Sequence, residues 1–245
     1  MAGPSPARLD VGGVIRKVRE IYVDQASVLM PAAAVVFVFA GILSAVLVRS
    51  SAALGVIGEL IALVAISVFT GMVVELVADV QDGRRDATPR QLLQAVGPVL
   101  GQLILVAVVV AILVALGLFL ILVPGLILLT IWAVAVPVVV VEKPPGLGAL
   151  ARSRELVRGN GWQVFGVLVI LYFLVVIISF ALEAAANSAG TGAGIVAAVV
   201  VGVLTAPIPA LASSVLYFEL LAVRGEARTP GTPPPAPSQA DPFGG

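Results

Sequence analysis

The chain contains no cysteine and no histidine, and each absence removes a class of chemistry. Without Cys there are no disulfides and no thiolates; without His there is no imidazole base, and most zinc sites are excluded. Charge is scarce as well. Only 11% of the 245 residues are charged, against about 25% in a soluble domain, and fourteen basic residues balance fourteen acidic ones. With no basic excess, no nucleic-acid partner is expected. There is also too little polar surface to cover a globule in water.

Apolar sequence is what the chain has in abundance, at 60% hydrophobic residues and a mean hydropathy of +1.14. A bilayer core about 30 Å thick takes roughly 20 apolar residues per helical span. Six runs meet this need: Val28–Val48, Val56–Ala78, Val99–Val123, Leu126–Val141, Trp162–Leu182 and Gly194–Val223. The residues before Val28 lack the basic region, apolar stretch and cleavage site of a removable signal, so the first run is expected to be a retained span. The third and fourth runs must be separate. Leu103–Val141 is 39 residues without a charge, about 58 Å as one helix, nearly twice the hydrocarbon thickness. Pro124 and Gly125 are the expected turn, since Pro breaks the helical ladder and Gly accepts turn geometry.

Charge placement gives an orientation, because Lys and Arg accumulate in cytoplasmic loops. Six spans put thirteen of the fourteen basic residues on one side, with only Arg49 opposite. Without the turn at Pro124 the division would be seven against seven. Both termini are therefore expected in the cytoplasm of a bacterial cell, with Ser51, Pro124 and Gly192 external. The domain reading is a cytoplasmic segment over 1–27, a membrane domain over 28–224 and a disordered Pro-rich cytoplasmic tail over 225–245.

The charged stretch between the fourth and fifth runs has helical period. Ala149, Leu150, Ser153, Leu156 and Val157 share one face, while Arg152, Glu155 and Arg158 point elsewhere. Gly159, Asn160 and Gly161 end this helix, and Trp162 stands where an interfacial aromatic belongs. It is expected to lie on the membrane surface with Leu150, Leu156 and Val157 in the interface and its cations toward headgroups. Arg152, Ser153, Arg154, Arg158, Asn160 and Trp162 are the candidate lipid or partner contacts. The N-terminal segment has a similar face of Val11, Val14, Ile15, Val18, Ile21 and Tyr22. A third begins at Thr88, an N-cap followed by Pro89, with Leu92, Leu93 and Val96 on one side. The fold class is thus all-α integral membrane: six transmembrane helices as three hairpins, each preceded by a cytoplasmic amphipathic interfacial helix.

Ionisable groups within spans are expensive and mark candidate sites. Glu75 and Glu219, near the cytoplasmic ends of the second and sixth runs, form the candidate polar membrane site; Glu59 and Glu183 lie at the external interface. Pro207 and Pro209 are the candidate helix break, the device with which many transporters build substrate sites. Gly190–Gly194 reads as a flexible turn.

The block from Val123 to Ile170, with Pro124 and Gly125, then Glu142, Ser153, Leu156, Val157 and Asn160, resembles the bacterial glycerophosphoryl diester phosphodiesterase membrane domain family. The resemblance covers about a fifth of the chain. In that family phosphodiesterase activity resides in a separate barrel using His, acidic residues and a metal. Nothing of that kind is present, so no enzyme activity and no cofactor are expected. The expected function is a non-catalytic scaffold or lipid-associated accessory protein whose partners are membrane lipids and a soluble or membrane protein. The alternative is a permease for a lipid or small solute.

Overall fold

The computed structural model describes residues 8–50, 52–83, 88–120, 122–187 and 200–226, and these are helices joined by short connections. Helix α1 (Val11–Asp24) starts at Asp10, whose carboxylate accepts the Gly12 N–H at 3.0 Å. Then come α2 (Ala26–Ser50) and α3 (Ala52–Gln81). Helix α4 (Pro89–Val96) opens on a capping box in which Thr88 and Gln91 bond reciprocally, with Pro at the first helical position where its missing N–H costs nothing. A 3₁₀ turn leads into α5 (Leu100–Leu120), followed by α6 (Leu122–Ile131) and α7 (Ala135–Val141). Helix α8 (Gly148–Val157) precedes α9 (Gly161–Asn187). Residues 200–205 are helical, and α10 (Pro207–Val223) continues them after a turn at Ala206.

Six of these segments are long and apolar enough to cross a membrane: Ala26–Leu43, Leu60–Gln81, Pro89–Phe119, Val123–Val141, Gly161–Leu182 and Val200–Val223. They divide into outer and inner helices. The second, fourth and sixth are 44%, 44% and 61% buried, whereas the first, third and fifth are 22%, 22% and 17% buried. The inner helices touch one another, α10 with α3 and both with α7, while α2 packs along α3 and α9 against α10. Large apolar side chains of the outer helices, Phe39, Phe119, Tyr172 and Phe180 among them, stand exposed. In a bilayer these meet lipid tails at no cost.

Two expectations need correction. Pro124 and Gly125 are not the turn: both are helical, near the start of α6 as described from Leu122. Pro is tolerated there because the first N–H groups of a helix have no partner in any case. Gly125 is needed for close approach instead. A Cβ at Gly125 would stand 2.6 Å from the Leu118 backbone nitrogen, and one at Gly117 would stand 3.0 Å from the Gly125 Cα. The two glycines let α6 pack back on α5.

The second correction concerns α8. Its face was read correctly, since Ala149, Leu150, Ser153, Leu156 and Val157 are all buried. It is covered by α6, α7 and α10, however, so Leu150, Leu156 and Val157 are not free to enter the membrane interface. The α1 face behaves similarly, with Val14, Val18 and Ile21 buried against α10, α9 and α2. On α4, Leu92 and Val96 are buried and Leu93 is half exposed. An apolar face in a chain with many apolar helices can be covered by the chain itself, and here it is.

Candidate functional site

Helix breaks leave carbonyl groups without partners, and inside a membrane protein another group must satisfy them. Four such breaks are described where the short helices meet the bundle, and polar side chains reach each one. Between α6 and α7 the Ala135 N–H turns to Trp132 at 3.0 Å, which frees the Ile131 carbonyl; Ser153 of α8 donates to it at 2.8 Å. At the turn before α10, Tyr22 of α1 donates to the Leu204 carbonyl at 2.8 Å, and Thr205 bonds back to Val201 at 2.7 Å. In the connection before α8, Gln102 of α5 donates to the Pro144 carbonyl and, at 3.2 Å, to that of Gly146. The end of α8 is closed by Arg224, whose guanidinium meets the carbonyls of Glu155, Leu156 and Arg158. Gly159 then leaves the helix at φ 92°, a left-handed conformation that favours glycine.

Charged groups add a second set of ties. Arg152 is the hub. Its Nε lies 3.0 Å from Glu142 Oε2, its Nη1 lies 3.2 Å from Glu155, and its Nη2 pairs with Glu226 just beyond α10. Tyr217, buried on α10, donates its hydroxyl to Glu142 Oε1 at 3.0 Å. Partial burial of Arg152 works against its charge, but the hydrogen bonds it donates to Glu226, Glu142 and Glu155 outweigh it and hold the guanidinium above its ordinary range. The hub thus joins the end of α7, the middle of α8 and the end of α10. Lys17 of α1 reaches Glu219 of α10 at 2.9 Å. Asn160 accepts the Leu9 N–H at 3.2 Å, fastening the start of α1 to the start of α9.

The sequence candidates separate into two groups. Arg152, Ser153 and Asn160 turn inward to partners within the chain, and Ser153 and Asn160 are buried. Arg154 and Arg158 are exposed, and Trp162 is 82% exposed, stacked on Phe165 at 5.5 Å. Glu219 pairs with Lys17, while Glu75 is half-buried on α3 and has an interaction of its own. Pro207 is buried and Pro209 exposed, both in the first turn of α10. The side chains of Arg49, Glu59 and Glu183, and residues 190–194 and 227–245, lie outside the described residues.

Glu142, Tyr217 and Glu226 were missed as a group. Glu142 precedes Arg152 by ten positions and Glu226 follows it by 74, distances over which no local pattern operates. The one available signal was that Glu142 interrupts a long uncharged run. Comparison with protein-family models, with curated proteins and with solved structures finds no match for this chain.

Proposed function

We propose that this chain is a bacterial plasma-membrane protein of three helical hairpins with both termini in the cytoplasm. It works there as a non-catalytic scaffold or lipid-associated accessory protein. The alternation of outer and inner spans supports the hairpin reading, since the first span of each pair is the less buried one. The resemblance over residues 123–170 to the phosphodiesterase membrane domain family belongs to the same reading.

One observation carries the functional part. Lys143, Arg154, Arg158 and Trp162 all stand exposed, and none of the three cations makes an ion pair among the described residues. The short helices α1 and α8, which both pack on α10, are read as one polar layer at the end of the bundle; Arg152 is consumed by the hub, so these cations form the outward surface of that layer. Each cation near an anionic leaflet contributes roughly 1 kcal/mol, and Trp favours the headgroup level. The layer therefore engages lipid through its polar edge and Trp162, in place of the buried apolar face. Its ties to the bundle hold that edge in a fixed position, as a docking platform requires.

The permease alternative rests on the break before α10. That break is closed by Tyr22 and Thr205, which is how a structural kink is satisfied. A photoreactive residue at position 154 or 162 distinguishes the readings. A platform gives phospholipid adducts or one discrete protein adduct in cells. Absence of both, together with protein-dependent solute flux in proteoliposomes, would favour the permease.

A further inference from the structure

Away from the Arg152 hub, an open cleft of about 360 Å³ lies between the last turns of α1 and the end of α3. Its size falls in the range of small-molecule sites. Ile21 and Val80 supply apolar walls, and Lys17, Glu20, Asp24, Gln25 and Gln81 supply polar ones. Gln25 is the informative residue. It is only 6% exposed, yet its side-chain amide makes no hydrogen bond among the described residues. The amide is not sealed off, because no fully buried side-chain nitrogen or oxygen lacks a partner. The access it keeps opens on the cleft that it lines. A nearly buried amide left open in this way is a group waiting for a polar ligand.

The charges indicate which ligand. Lys17, Glu20 and Asp24 occupy i, i+3 and i+7 on one stripe of α1. Lys17 gives one of its three N–H donors to Glu219, so the others remain available at one end of the cleft. At the other end stand Glu20, Asp24 and the C-terminus of α1, whose helix dipole also favours a cation. Asp24 has a further interaction of its own, so Glu20 and Gln25 carry most of the selectivity. The rise from Lys17 to Glu20 is about 5 Å, the reach of a short two-carbon link between an anion and a cation. No aromatic ring lines the cleft among the described residues, so a quaternary ammonium would find no cage. A primary ammonium, with three donors, fits a carboxylate and an amide oxygen. The apolar span of α3 ends at Gln81, which sets the cleft at headgroup depth.

We propose that this cleft binds an aminoethyl phosphate, the phosphoethanolamine headgroup, with its ammonium at Glu20 and the Gln25 amide oxygen and its phosphate toward Lys17. This rests on the lipid-associated reading above and names the lipid class.

The test is native mass spectrometry of the full chain released from micelles holding equal amounts of phosphatidylethanolamine, phosphatidylcholine and phosphatidylglycerol. Retained phosphatidylethanolamine should exceed each of the others by about tenfold, the scale of one charge-assisted hydrogen bond. Glu20→Gln and, independently, Gln25→Leu should each remove most of that preference, and Gln94→Ala on α4 should keep it. Circular dichroism melting of each variant confirms that it is folded. Displacement by excess free phosphoethanolamine identifies a soluble ligand of the same chemistry; resistance identifies the lipid. Retained lipid without a phosphatidylethanolamine preference, or a preference untouched by both variants, overturns the cleft assignment and leaves the lipid association standing. No retained lipid of any class overturns both.

Discussion

Arg152 Nε lies 3.0 Å from Glu142 Oε2, and the pair fastens α8 to the end of α7. The same guanidinium reaches Glu226 beyond α10, so one side chain joins three segments. Because Arg152 and Glu142 are mostly covered, at 22% and 27% side-chain exposure, removing one leaves the other poorly solvated. Arg152→Gln should therefore destabilise the protein by about 2 kcal/mol, in the range for hydrogen bonds to charged groups. Arg152→Lys should recover only part of this, since an ammonium cannot reproduce the fork. Thermal unfolding followed by circular dichroism checks both.

Gly125→Ala places a methyl group against the Leu118 backbone, and the structure must shift to admit it. Overpacking of this kind costs about 1–3 kcal/mol. Gly166→Ala, where a Cβ meets nothing within 4 Å, should be neutral or stabilising by up to about 1 kcal/mol. A reversed order in melting temperature would mean that α5 and α6 do not approach through these glycines.

Tyr22→Phe leaves the Leu204 carbonyl without its donor and should cost about 1 kcal/mol at neutral pH. Burial raises the Tyr22 pKa above its ordinary value of 10.0. The folded state therefore holds this proton more tightly than the unfolded chain does. The resulting stability is full below pH 10.0 and is lost as pH rises above it. The stability of the wild type should fall in that alkaline range more steeply than that of Tyr22→Phe.

Asn160→Ala should release the start of α1, because Asn160 is the acceptor for the Leu9 N–H. Amide exchange over residues 8–14 is the measurement, with faster exchange there and little change in the centre of α9 as the expected outcome.

The spans and the buried faces were legible in the sequence because both depend on local composition and period. Thr88 and Pro89 announced α4, and the spacing of Ala149, Leu150, Ser153, Leu156 and Val157 selected the buried side of α8. What covers such a face is not a local property. A helical period says that one side leaves water, and both a headgroup layer and α10 meet that requirement. The turn was misplaced for a related reason. Pro124 and Gly125 look like a breaker pair, but Pro is also at home in a first helical turn, and Gly125 serves packing against Leu118. The hub was hidden because Glu142, Arg152, Tyr217 and Glu226 come from segments that only the folded bundle brings together.

The proposed function puts α1 and α8 in one polar layer on the cytoplasmic side of the membrane. The chain is free of cysteine, so a single Cys can be placed at Arg19 or Arg154, both exposed, and probed with an impermeant maleimide. Both positions should stay unlabelled in intact cells and become labelled after lysis. Labelling of either one before lysis would contradict the layer, and labelling of one alone would place α1 and α8 on opposite faces.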